Sequence, residues 1–213
     1  MPLKVYLAGP EVFLPNAHAI LAEKLAICER FGWQGLSPVD NEVDTTGLSP
    51  EEIASAIYRG NVAMMRQADA VIANITPFRG PHMDPGTAFE VGFFAHADKP
   101  IMVYTQHRDE LLERVVDWSG GQVTRNGHEV RDRNRHLVEN FGLRENLMID
   151  SAIDNQGVDA NPVVSPVEFG QVFECSRGFE DACRTLYNLL EVARTFKTVP
   201  AEAEQRKPRG PGR

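Results

Sequence analysis

Apolar residues fall into short blocks separated by stretches of helical spacing, and the two patterns alternate along the first half of the chain. Residues 3–9, LKVYLAG, form an apolar run rich in β-formers that ends in glycine, which predicts a first strand. Residues 15–30 change to helical spacing, with Ala17, Ile20, Leu21, Leu25 and Cys28 on one stripe. WQGLSPVD (33–40) reads as a short strand that runs out into a polar loop. Residues 48–68 carry a strong helix start: Ser49, Pro50 in the first turn, then Glu51 and Glu52. DAVIANI (69–75) is a continuous apolar strand of the kind buried on both faces of a parallel sheet. A helix from Pro85 and the strand PIMVYT (100–105) complete a βαβαβαβ alternation.

That alternation predicts an α/β fold: a flavodoxin- or Rossmann-like parallel sheet of about five strands, with right-handed crossovers and helices on both faces. Ligands of such sheets bind beyond the carboxyl ends of the strands, where the strand order switches. The loops to watch are GPEVF (9–13), PVDNEVD (38–44) and TPFRGPHMDPG (76–86). They supply Gly9, Phe13, Arg79 and Gly86 as substrate-binding candidates, and all three carry carboxylates.

From 106 to 164 the pattern loosens into a polar segment too long for an ordinary connection. It reads as a lid or subunit-contact insertion with one or two short helices, and its charged block HEVRDRNRHLVE (128–139) as a solvated face. A last amphipathic helix, 177–195, places Phe179, Cys183, Leu186, Leu190 and Ala193 against the sheet. The reading is thus one domain over 1–196. A tail follows from 197 to 213, rich in Pro, Gly and charge and expected to be disordered.

A length of 213 residues suits one such domain. The net charge of -8 disfavours nucleic acid as a partner; the tail holds five Lys/Arg against two Glu, leaving the body about -11. No apolar run matches a membrane span or a signal peptide, so no membrane partner and a cytoplasmic location are expected. Three cysteines, an odd number without metal-type spacing, give neither a disulfide framework nor a metal site. HExxH, GxGxxG, Walker and GxSxG patterns are absent, so no metal or organic cofactor is expected. Carboxylate chemistry remains.

Asp84 fits the N-cap of the helix from Pro85, with Gly86 and Thr87 next. Glu90 has no such use. Its neighbours at three and four residues are Gly86, Thr87, Phe93 and Phe94, a face small at one end and aromatic beyond. A carboxylate there is either a desolvated nucleophile or a group satisfied by a nearby arginine or tyrosine.

VYLAGPEVF, the stretch NVAMMRQADAVIANITPFRGPHMDPGTAFEVGFFAHADKP and the later ENLMIDSA resemble the nucleoside 2-deoxyribosyltransferase family. The resemblance implies that Glu90 is the nucleophile, that Asp84 holds the sugar hydroxyls and that Tyr6 orients Glu90. It implies that Asp40, Asn41 and Glu42 contact the base. Asn146 and Met148 would enter a neighbouring subunit's site, giving a homo-oligomer (dimer, tetramer or hexamer) with shared active sites. Some members carry an aspartate serving the base eight residues before the Asp69 position, where this chain has Asn61. An amide hydrogen-bonds a base but donates no acid proton. The implied reaction transfers deoxyribose between 2′-deoxyribonucleosides and free purine or pyrimidine bases, a step of nucleotide salvage. A nucleoside or nucleotide N-hydrolase and a non-catalytic nucleotide-binding module are the alternatives.

Overall fold

The computed structural model describes residues 1–41, 44–154, 161–168 and 172–198. In chain order its first elements are β1 (Lys4–Ala8), α1 (Ala17–Arg30), β2 (Gln34–Leu36), α2 (Pro50–Gln67), β3 (Ala70–Asn74), α3 (Pro85–His96) and β4 (Ile101–Thr105). These are the predicted alternation, with each strand shorter than its predicted run. Then come α4 (Leu111–Trp118), β5 (Thr124–Asn126), β6 (Glu129–Arg131), β7 (Leu137–Val138), α5 (Leu147–Asp154), β8 (Val163–Val164) and α6 (Arg177–Thr198).

The main sheet has five parallel strands in the order β2-β1-β3-β4-β8. Side chains alternate across it with period two. Val5, Leu7, Ile72 and Met102 face α1 and α6, where Ile27, Cys28, Phe179, Cys183 and Leu186 close one core. Tyr6, Ala8, Val71, Ala73 and Val103 face α2, α3 and α5, packing on Met65, Val91, Phe94 and Ile153. The result is a three-layer αβα sandwich, buried on both faces as its continuous apolar strands require.

Local signals explain the helix ends. Ser49 and Glu52 form a reciprocal capping box at the start of α2, with Pro50 in its first turn. Past the end of α1, Gly32 takes a left-handed φ of 73° and returns its N–H to the Glu29 carbonyl, stopping the helix.

Three features depart from the sequence reading. The fifth strand of the sheet lies inside the polar segment: Val163 and Val164 pair with Tyr104 and Thr105. Where one or two short helices were expected the segment contains two, α4 and α5, and also a three-stranded antiparallel sheet, β5-β6-β7. In the charged block Val130 and Val138 turn inward as anchors, while most of their charged neighbours face solvent. Finally, α6 runs to Thr198, so Lys197 and Thr198 are helical rather than tail. Residues 199–213, the rest of the predicted tail, lie outside the described residues, as does the side chain of Ala193. Among the described residues no helix is long and apolar enough to cross a membrane.

Candidate active site

The strand order reverses between β1 and β3, so a ligand is expected beyond their carboxyl ends. Tyr6, the third residue of β1, is fully buried and points to the α3 side, its ring 6.0 Å from that of Phe94. Its hydroxyl donates to Glu90 Oε1 over 2.6 Å. The tyrosine partner foreseen as the satisfying alternative and the tyrosine expected to orient a nucleophile are one contact.

Glu90 lies in the second turn of α3, partly buried. Burial raises its carboxyl group to about pKa 7; the Tyr6 hydrogen bond opposes the rise, and the charge of Asp84 adds to it. The group therefore keeps a neutral fraction well above the ordinary carboxylate range. Burial, and then the Glu90 charge, push the Tyr6 hydroxyl far above its ordinary value, so it stays a donor. Asp84 is buried at the N-cap of α3, where its Oδ2 accepts from Thr87 N at 2.9 Å and Thr87 Oγ1 at 3.2 Å. A Cβ at Gly86 would come within 2.9 Å of that oxygen, so glycine keeps this flank of the carboxylate open.

The loops after β1 and β3 meet through aromatic rings. Phe13, half exposed, stacks on Phe78 at 5.6 Å, and the Arg79 guanidinium lies over both rings at 4.9 and 4.6 Å. Gly9 precedes the turn Pro10–Phe13, and a Cβ there would fall 2.0 Å from Glu11 Oε2. Glu11 corrects one expectation. The carboxylate of this first loop is spent internally: it is buried in an ion pair with Lys24 and accepts from Asn74 Nδ2 at 2.7 Å and Tyr104 OH at 3.1 Å.

On the other side, Asn41 Nδ2 donates to Ile57 O at 3.2 Å and approaches Asn61 Oδ1 at 3.4 Å. Gly60 leaves the space the Asn41 side chain occupies, since a Cβ would meet it at 2.0 Å. Asp40 is exposed, and Glu42 lies outside the described residues. Tyr58 of α2 and Phe89 of α3 approach at 6.2 Å, joining the helix of Asn61 to that of Glu90.

Asn146 and Met148 stand apart from this group. The Asn146 amide donates to Glu139 Oε1 at 2.6 Å, and Met148 is 70% exposed at the start of α5. Among the described residues no hydrogen bond joins either to Glu90. The sequence reading missed two buried ion pairs, Lys24–Glu11 and Arg114–Glu145. Their partners are 13 and 31 residues apart, and no spacing rule pairs them. Among the described residues there is no cluster of three or more His, Cys, Asp or Glu able to hold a metal ion.

Fold and site together define a doubly wound α/β protein with a tyrosine-held carboxylate at its switch point. Residues 5–148 match the family model of nucleoside 2-deoxyribosyltransferases. The chain is 32% identical over 164 residues to an uncharacterised Schizosaccharomyces pombe protein, spanning 72% of this chain and 78% of that one. It is also similar to a solved 2-deoxyribosyltransferase from Leishmania mexicana, at 28% identity and a TM-score of 0.55, over 81% of this chain and 95% of the other. A conserved protein of Enterococcus faecalis V583 shares the fold at 16% identity and a TM-score of 0.50, over 87% and 99% of the two chains. The chain belongs to the nucleoside 2-deoxyribosyltransferase family.

Proposed function

We propose that the protein transfers 2-deoxyribose between nucleobases, taking 2′-deoxyribonucleosides as donors and free purine or pyrimidine bases as acceptors. The observation that carries this reading is the Glu90 carboxylate, desolvated to about pKa 7 and fixed by Tyr6 at 2.6 Å. A partly desolvated carboxylate loses little solvation when it attacks carbon, and a fixed one attacks along one line.

With Oε1 held by Tyr6, Oε2 attacks C1′ of the donor through an oxocarbenium-like transition state. The C1′–N bond breaks as the C1′–O bond forms, and the base departs with the bonding pair and takes up a proton. A second base then attacks C1′ from the opposite face, loses a proton and releases the carboxylate. Two inversions retain the β configuration, and the kinetics are ping-pong. Asp84 holds the sugar hydroxyls, while Phe13, Asp40, Asn41 and Asn61 address the base. Asn61 offers no acid proton, so the departing base takes its proton from another group or from solvent. The absent 2′-hydroxyl favours deoxyribose donors, because that electron-withdrawing group would destabilise the cationic transition state.

One assay tests the reading: donor consumption with and without an acceptor base, scoring exchanged nucleoside and free sugar together. Transfer predicts that the base accelerates donor loss and appears in product. Exclusive release of free 2-deoxyribose makes the protein an N-hydrolase, and no cleavage makes it a binding module.

A further inference from the structure

Among the described residues, the carboxylate with the most hydrogen-bond partners is one the proposed chemistry does not use. Glu145 is 2% exposed, and both of its oxygens are engaged. Oε2 accepts from Met83 N at 2.9 Å and Arg114 Nη2 at 3.1 Å. Oε1 accepts from Asn146 N at 3.1 Å and lies 2.7 Å from His82 Nδ1, the one partner open to solvent. Arg114, equally buried, spends its other donors on three loop carbonyls: Pro81 at 2.8 Å, Asp109 at 3.0 Å and Arg144 at 2.6 Å.

Met83 directly precedes Asp84, and Asn146 directly follows Glu145. The pair therefore binds the loop that ends in the sugar-holding aspartate to the turn that starts α5. The second anchor of that turn is Asp150, whose Oδ2 accepts from Arg144 N at 2.6 Å and Glu145 N at 3.1 Å. Bonds to an ionised buried acceptor are strong and directional, and losing one partner strands the other charge. A fold needing only bulk here would be served by apolar residues.

We propose that Glu145 and Arg114 are positioning residues for the donor sugar. Their ion pair locks the 81–84 loop and the 144–146 turn into one unit, which sets where Asp84 and the Asn146–Met148 segment stand. The inference rests on the transferase reading for the word sugar; the mechanical tie between the two segments does not.

The test uses full-length Glu145→Gln, Glu145→Asp and Arg114→Lys proteins, with folding checked by circular dichroism. In Glu145→Gln the donor KM rises roughly tenfold or more, from the loss of charged hydrogen bonds, while kcat at saturation falls less. The pH midpoint set by Glu90 stays in place. His82→Ala, which removes the solvent-side partner alone, raises the donor KM less. Hydrogen–deuterium exchange supplies the second readout, independent of activity. In Glu145→Asp and Arg114→Lys, the amides of residues 82–84 and 144–146 speed up together while β1 and β3 stay protected. A folded Glu145→Gln with donor KM within about twofold of wild type overturns the positioning role. So does a fall in kcat with a shifted pH midpoint, which would place the effect on Glu90. Independent exchange of the two segments removes the tie itself. If the wild-type protein cleaves no deoxyribonucleoside, the transferase reading fails, and the exchange result still decides the tie.

Discussion

The Tyr6 hydroxyl and the Glu90 carboxylate lie 2.6 Å apart, so one hydrogen bond joins the middle of β1 to the second turn of α3. Two opposed effects meet there. Burial raises the carboxyl group toward its neutral form, and the tyrosine bond favours the charged form, with a balance at about pKa 7. As the proposed nucleophile, Glu90 must be ionised to attack. The rate of donor cleavage therefore rises with pH through about 7 and levels off above it. A kcat/KM profile from about pH 5.5 to about 8.5 measures this, and a flat profile would remove Glu90 from the rate.

The same shift makes a stability prediction for Glu90→Gln. The folded value lies above the ordinary 4.5, so the protein is favoured by the neutral form. That advantage is complete below about 4.5 and is lost as pH rises through about 7. Glutamine has no charge to desolvate. Relative to wild type, the variant should gain stability across that window, reaching about 1–3 kcal/mol at the alkaline end after allowance for partial exposure. Transfer should fall on the order of a thousandfold or more. Thermal unfolding near pH 5 and pH 8 checks the sign, and an offset equal at both pH values contradicts it.

Tyr6→Phe isolates the other half of the contact. The ring keeps its place beside Phe94, and only the donor is lost. Since that bond lowers the Glu90 value, its removal moves the pH midpoint upward from about 7. The rate above the midpoint falls roughly 10–100-fold, the worth of a hydrogen bond to a charged group. A lower rate with an unmoved midpoint would mean that Tyr6 orients Glu90 without tuning it.

Glu90 could be picked out in the sequence because a single carboxylate in an apolar helix is costly and few structural uses explain it. Asp84 was readable as an N-cap because capping is local to four residues. Glu11 was not, since its fate depends on Lys24 and Tyr104, and Tyr104 is 93 residues away. Arg114 and Glu145 escaped for the same reason. β8 carries two residues, too few to display any period, and becomes a strand only because the edge of β4 is there to receive it. Periodicity reports what a segment does with its own neighbours, and these features are set by contacts across the fold.

Asn61 gives a prediction about the base. Its Oδ1 faces Asn41 Nδ2 at 3.4 Å, so the pair is neutral and supplies no acid. Asn61→Asp places an acid at the same spot, able to protonate a departing base while itself protonated. The variant should gain activity toward donors with poorly leaving bases, and its profile should acquire a limb that falls as pH rises through the new group's value. Comparing purine and pyrimidine donors in both proteins tests this. Equal profiles would mean that residue 61 does not address the base.

Assembly gives the last prediction. Met148 is 70% exposed and Leu147 37%, apolar side chains presented outward at the start of α5. Asn146 beside them is oriented within its own chain by Glu139. If this segment completes the site of a second copy, Glu90 and Asn146 of one working centre come from different chains. Symmetric exchange then satisfies every copy in a closed assembly. Asn146→Ala should weaken donor binding without abolishing the reactivity of Glu90, and an isolated monomer should be inactive. Mixing Glu90→Ala protein with an Asn146 variant inactive at the donor concentration used, under conditions where subunits exchange, should restore part of the activity. Each mixed pair then holds one centre with both residues intact. Demonstrated exchange without recovery, or a dilute monomer of full activity, would place the whole site in one chain.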